Sequence, residues 1–144
     1  MQDKKLMVLF ICTANMCRSQ MAEGWANYLK GDRICAFSAG IVPGYSVSRS
    51  TVEVMRAAGV DISCHYTKSV DDLPEVEFDY VITLSEEAKQ YCPKFGPNTK
   101  ILHIPVEDPS TAMCTAGQAR QAFMQTSEQI RAVVEAMPES LLNT

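Results

Sequence analysis

Residues 6–11 read Leu-Met-Val-Leu-Phe-Ile, an unbroken apolar run entered through Lys4 and Lys5 and left through Cys12 and Thr13. A run this short with no polar alternation reads as a strand buried on both faces. Residues 19–30 then carry Met21, Ala22, Trp25 and Leu29 at helical spacing, with Gly31 as a stop. The pattern repeats along the chain. Strands are expected at 34–38 (ended by Ala39-Gly40), 79–84 and 101–104. Helices are expected at 50–58, with Gly59 past the end, in a short piece opened by Ser85-Glu86-Glu87, and at 116–137. The last would turn Ala119, Phe123, Ile130, Val133 and Val134 inward. Strands alternating with helices predict an α/β fold with a parallel sheet covered on both faces. Ligands of such sheets bind at the carboxyl ends of the strands. Cys12 ends the first strand and Asp108 lies a few residues past the fourth, so both belong to that rim.

The chain has 144 residues, of which 47% are apolar, enough for one domain spanning 1–144 with a single core. Its formal net charge of -4 offers no field for nucleic acid or an anionic membrane, so an anionic substrate needs a local positive site. The apolar run at 6–12 is too short to span a membrane and lacks a cleavage signal. A cytoplasmic monomer is expected. Six cysteines stand at 12, 17, 35, 64, 92 and 114. A reducing compartment argues against a disulfide framework, and paired C-x-x-C spacings for zinc are absent. That leaves packing, catalysis or redox cycling.

The chemistry concentrates in Cys12-Thr13-Ala14-Asn15-Met16-Cys17-Arg18-Ser19. Small residues between a strand and a helix let the loop curl with its N–H groups inward, and the helix start adds free N–H groups and partial positive charge. Arg18 supplies a planar fork for two oxygens of one oxyanion. Residues 13–19 thus form a candidate cradle for a dianion, with the Cys12 sulfur at its floor. The same field favours the thiolate of Cys12, and Ser19 is placed to donate a hydrogen bond to it. A Cys and an Arg alone would read as a packed thiol and a surface cation; their spacing within a strand-loop-helix unit argues for function.

This motif resembles the phosphate-binding loop of low-molecular-weight protein tyrosine phosphatases and thioredoxin-coupled arsenate reductases. Ser38-Ala39-Gly40, Gly59-Val60-Asp61-Ile62-Ser63 and Glu107-Asp108-Pro109 follow in family order, so the resemblance covers nearly the whole chain. It implies three layers, with helices on both faces of a four-stranded parallel sheet, and no organic cofactor. It also implies that Asp108 is the general acid for the leaving oxygen, with Glu107 as the fallback. The segment Met21-Ala22-Glu23-Gly24-Trp25 resembles the reductase branch, as does Ser110 after Pro109, where tyrosine phosphatases carry an aromatic residue.

In the reductases a second thiol attacks the arsenylated cysteine, and thioredoxin reduces the resulting disulfide. The resemblance implies a relay cysteine after Thr83-Leu84, but that position is Ser85. Cys92, before Pro93, matches the terminal redox cysteine and reads equally as a helix-end packing residue. Cys17 is the competing partner for Cys12. Cys35 reads as core, and Cys64 and Cys114 carry no motif. Some reductases bind potassium through residues matching Asn15, Glu23, Ser38 and an Asp; here the fourth position is Lys68, whose ammonium is expected to replace the cation, and no metal is expected. His65 and His103 read as structural. The readings are therefore an arsenate reductase, a phosphatase, or a non-catalytic oxyanion-binding protein, which turnover would separate.

Overall fold

The computed structural model describes residues 4–111 and 115–142. Strands β1 (Leu6–Cys12), β2 (Ile34–Gly40), β3 (Tyr80–Thr83) and β4 (Lys100–His103) form one parallel sheet in the order β2-β1-β3-β4. The helices are α1 (Arg18–Lys30), α2 (Arg49–Ala57), α3 (Glu86–Gln90), α4 (Ala116–Glu135) and α5 (Glu139–Leu142). The four expected strands and four expected helices are present, in three layers. Single 3-10 turns at Val70–Asp72 and Pro109–Thr111, and α5, had no sequence signal.

β1 is central and buried on both sides, as its lack of alternation requires. Val8, Phe10 and Cys12 face a core completed by α1, α2, α4 and α5, with Met21, Trp25, Met55, Ile130, Val134 and Leu141 buried in it. Leu9 and Ile11 face a smaller cluster with Ala39, Phe78, Val81 and Ala88. That second face is covered by α3 and by extended chain carrying Leu73, Val76, Cys92 and Phe95.

β2 runs to Gly40 rather than ending at 38, because it pairs with β1 along its whole length, Cys12 opposite Gly40. β4 begins at Lys100 and is an edge, so Ile101 remains 49% exposed despite its apolar neighbours. Cys35, expected in the core, is only partly buried. Gly31 stays right-handed at φ -60. On α4 the buried face is Phe123, Thr126, Ser127, Ile130 and Val134, with Ala119 and Val133 only partly covered. Ser127 is buried because its hydroxyl accepts the Trp25 indole N–H at 3.0 Å, which satisfies a donor the core would otherwise leave unpaired.

Candidate active site

The loop between β1 and α1 is shaped by where its carbonyls go. Those of Cys12, Thr13, Ala14 and Met16 accept from the N–H groups of Ile41, Val42, Gly44 and Ser48, at 2.9 to 3.2 Å. The Asn15 carbonyl accepts from Gln20 Nε2 at 3.1 Å. With its carbonyls drawn outward, the loop keeps its N–H groups for the inside. Asn15 makes the bend at φ 55, the left-handed region that Asn tolerates better than most side chains. The two strand-end segments pack so closely that a Cβ on Gly40 would lie 2.9 Å from Ala14 C and Asn15 N, and one on Gly44 would lie 2.2 Å from Met16 Sδ. No side chain caps α1, and no acidic residue occupies its first turn, so its N–H groups and positive end stay open to an anion.

Cys12 Sγ lies at the floor, 2.9 Å from Ser19 Oγ. Asn15 Nδ2 donates to Ser19 Oγ at 2.7 Å, which leaves the Ser19 hydroxyl hydrogen for the sulfur. The same amide donates to Ser38 Oγ at 3.0 Å, and Ser38 donates to Glu23 Oε1 at 2.6 Å. Arg18 is anchored by Nη1 donating to the Val106 carbonyl at 3.1 Å, and its Nη2 stands 3.7 Å from Asp108 Oδ2. Cys12, Arg18 and Asp108 line one cavity of about 170 Å3, with Ala14, Met16 and Ser110 on its wall. The three residues expected to carry the chemistry are therefore together.

Cys17 and Cys92 are not equivalent. Cys17 is the N-cap residue just before α1 and lines the same cavity, but burial pushes its thiol up to about 12, and the Thr51 hydroxyl facing it only partly offsets this. Cys92 packs on the opposite face of the sheet from Cys12, against the cluster containing Leu9 and Ile11, and burial raises its thiol as well. Ser85, at the expected relay position, caps α3: its Oγ accepts the Ala88 N–H at 3.1 Å and the Thr13 hydroxyl at 3.0 Å. Cys64 is exposed, and Cys114 lies outside the described residues.

Lys68 does meet Glu23, Nζ to Oε1 3.9 Å, and its Nζ lies 4.6 Å from the Tyr66 ring centroid. Burial pulls its ammonium below the ordinary range, and Glu23 opposes that pull. Asn15 Oδ1 is taken by Gln20 Nε2 at 3.0 Å and the Lys68 N–H at 2.9 Å. A potassium ion does not fit this set, since one oxygen is already used and an ammonium stands beside the carboxylate. Exchanging potassium for sodium at constant ionic strength should leave kcat and Tm unchanged. A specific potassium activation would show that Lys68 does not fill this role.

Sequence reasoning missed Gln20, which is fully buried and ties Asn15 to the Tyr66 carbonyl, 3.0 Å away, while accepting from His65 Nδ1 at 2.9 Å. The available signal was a polar residue beside Met21 on the covered side of a helix. It also missed that His103 bridges Thr83 Oγ1 (2.8 Å) and Glu86 Oε1 (3.2 Å) at the base of α3.

A thiol held in an amide-lined loop, facing a guanidinium and a carboxyl, is the layout of enzymes that attack tetrahedral oxyanions through sulfur. The chain belongs to the low molecular weight phosphotyrosine protein phosphatase family, whose profile it matches over residues 7–143. It is 37% identical to "Arsenate reductase 2" of Staphylococcus haemolyticus over 134 residues, covering 93% of this chain and 96% of that protein. Its fold is similar to a solved arsenate reductase in a phosphate-binding state, with TM-score 0.74 and 27% identity over 92% of this chain and 95% of that one. It is equally similar to a low molecular weight protein tyrosine phosphatase from T. tengcongensis, with TM-score 0.74 and 29% identity over 94% and 99% of the two chains. Among the described residues no helix is long and apolar enough to cross a membrane.

Proposed function

We propose that the protein is a cytoplasmic arsenate reductase that works through a thio-arsenate on Cys12. The observation that carries this reading is the convergence of Cys12 Sγ, the Arg18 guanidinium and Asp108 Oδ2 on one small cavity. Arsenate sits in the cradle of residues 13–19 and is gripped by Arg18. The Cys12 thiolate attacks arsenic, the S–As bond forms, and an arsenic-bound oxygen departs as water with a proton from Asp108. A second thiolate then attacks Cys12 Sγ. The S–S bond forms, the S–As bond breaks, and its electron pair reduces arsenic from the +5 to the +3 state, so arsenite leaves. Thioredoxin reduces the disulfide and closes the cycle.

Two features support arsenate over an aryl phosphate. Ser110, rather than an aromatic residue, follows Pro109 at the cavity wall, where Phe123 of α4 also stands, and arsenate reductases are among the relatives at 36–37% identity. The second thiol is assigned to Cys92. Cys17 lines the cavity itself, but it is the more deeply buried of the two thiols, burial pushes it up to about 12, and attack requires a thiolate. The segment from Tyr91 to Thr99 is exposed or half-buried and joined to the body by few backbone bonds, which favours its local opening.

A second reading has its own observation. Ser85 cannot form a disulfide, and Cys12 and Cys92 face opposite sides of the sheet. A phosphatase needs no second thiol: Cys12 would form a phosphocysteine that water, activated by Asp108, hydrolyses. The deciding experiment measures arsenite formation with thioredoxin beside p-nitrophenyl phosphate hydrolysis. Arsenite formation without a thioredoxin dependence, or none at all, overturns the first reading. Inactivity in both assays leaves the oxyanion-binding alternative. Asp108→Asn should slow the chemical step by roughly 10²–10⁴-fold and leave phosphate binding nearly unchanged. Normal rates in that variant would move the acid to Glu107 or to water.

A further inference from the structure

The two carboxyl oxygens of Asp108 stand in different environments. Oδ1 accepts from both the N–H of Ser110 at 2.9 Å and its hydroxyl at 2.7 Å. Oδ2 is the oxygen facing Arg18, 3.7 Å from Nη2. An sp² oxygen that accepts two hydrogen bonds has both lone-pair directions occupied, so a proton arriving at Oδ1 must displace one of them. Protonation therefore falls on Oδ2. The backbone of the same turn is held separately, since the Thr111 N–H and hydroxyl donate to the Asp108 carbonyl at 3.3 and 2.8 Å. What the main chain leaves free is rotation of the carboxyl about its last torsion, which is broad and nearly two-fold by nature. Only a contact that treats the two oxygens differently removes that symmetry, and here the Ser110 hydroxyl supplies it together with the Ser110 N–H, both on Oδ1.

We infer that Ser110 is a positioning residue for the general acid: its hydroxyl selects Oδ2 as the proton carrier and holds that oxygen toward the leaving group above Cys12. This rests on the assignment of Asp108 as the acid, made above. In the step concerned, the bond from Cys12 sulfur to the central atom forms and the bond to the leaving oxygen breaks. The Oδ2 proton passes to that oxygen, and Asp108 is left as a carboxylate whose charge the Ser110 hydroxyl and N–H share. The backbone N–H of residue 110 serves any side chain except proline. The hydroxyl is the part that belongs to Ser110, and it is the part a substitution can remove.

The test compares two esters that differ in their need for a proton. A p-nitrophenolate leaves without protonation, whereas phenolate requires it. Ser110→Ala should lower kcat/KM, which reports the step in which the leaving group departs, by roughly tenfold for phenyl phosphate, a fraction of the full general-acid factor, and by less than about twofold for p-nitrophenyl phosphate. Inhibition by inorganic phosphate should be unchanged, and Ser110→Thr, which keeps the hydroxyl, should restore the phenyl phosphate value. Asp108→Asn, run beside them, should separate the two esters more strongly still. If Asp108→Asn does not separate them, the acid assignment fails and this inference fails with it. If Asp108→Asn separates them and Ser110→Ala does not, the role of Ser110 alone is overturned. A wild-type enzyme idle on both esters overturns it as well.

Discussion

Cys12→Ser should abolish turnover of arsenate and aryl phosphates alike, by at least about 10⁴-fold, because the covalent adduct forms on the Cys12 sulfur and a serine hydroxyl in its place stays protonated. The same variant should bind inorganic phosphate no more weakly than the parent. The cradle is made of loop N–H groups, the open end of α1 and Arg18, none of which depends on the sulfur. A serine hydroxyl is smaller than a thiol and can keep the contact to Ser19 that Cys12 makes at 2.9 Å. Turnover and binding should thus separate, which a variant damaged in its fold would not show. In the wild type, iodoacetamide inactivation should track alkylation of Cys12 mole for mole and slow when phosphate is present. Undiminished turnover in Cys12→Ser would end the mechanism for either substrate.

The next largest effect is expected at Cys92. Cys92→Ser should lose arsenite production and retain p-nitrophenyl phosphate hydrolysis, since only the reductive half of the chemistry needs a second thiol. The geometry makes this a demanding prediction. A disulfide requires Cα atoms about 4.4–6.8 Å apart, and Cys92 packs on the far face of β1 from Cys12. The bridge can form only if the segment after α3 lets go of Leu9 and Ile11 and swings round the carboxyl end of the sheet. Mass spectrometry of the disulfide left after one arsenate turnover without thioredoxin reads the answer directly. A bridge from Cys12 to Cys92 supports the reductase. A bridge from Cys12 to Cys17 moves the role into the loop and means that the buried Cys17 thiol ionises once the adduct forms. Arsenite production that survives Cys17→Ser and Cys92→Ser alike would show that neither thiol is needed. No arsenite from the wild type, with p-nitrophenyl phosphate still hydrolysed, would leave the protein a phosphatase.

The tethered ammonium and the hydroxyl at position 85 each have a clear place in this fold. Lys68 stands by Glu23, and the Glu23–Ser38–Asn15–Ser19 series ends at the Cys12 sulfur. Ser85 caps α3 and accepts from Thr13, so it braces the loop against its neighbouring helix. A hydroxyl is well suited to capping, and that explains the local structure whichever chemistry the protein performs.

Periodicity and punctuation determined a great deal. The unbroken run at 6–11 placed a strand in the centre of the sheet, because a segment with no polar side has to be covered on both. The spacing of Cys12, Arg18 and Ser19 between strand and helix specified a tight loop that brings Cys12 and Arg18 to one cavity, since those positions are set by the local chain path. The position of Asp108 past the last strand put it on the same rim. Only the tertiary structure decided what depends on contacts between distant segments. The sequence does not record that β2 extends to Gly40, that the 41–48 segment takes up the loop carbonyls, or that Gln20 and Ser127 are buried with satisfied polar groups. Nor does it record which face of the sheet holds Cys92. A polar or sulfur side chain reads the same in sequence whether its partner is water or a residue across the core, and only the packed fold supplies that partner.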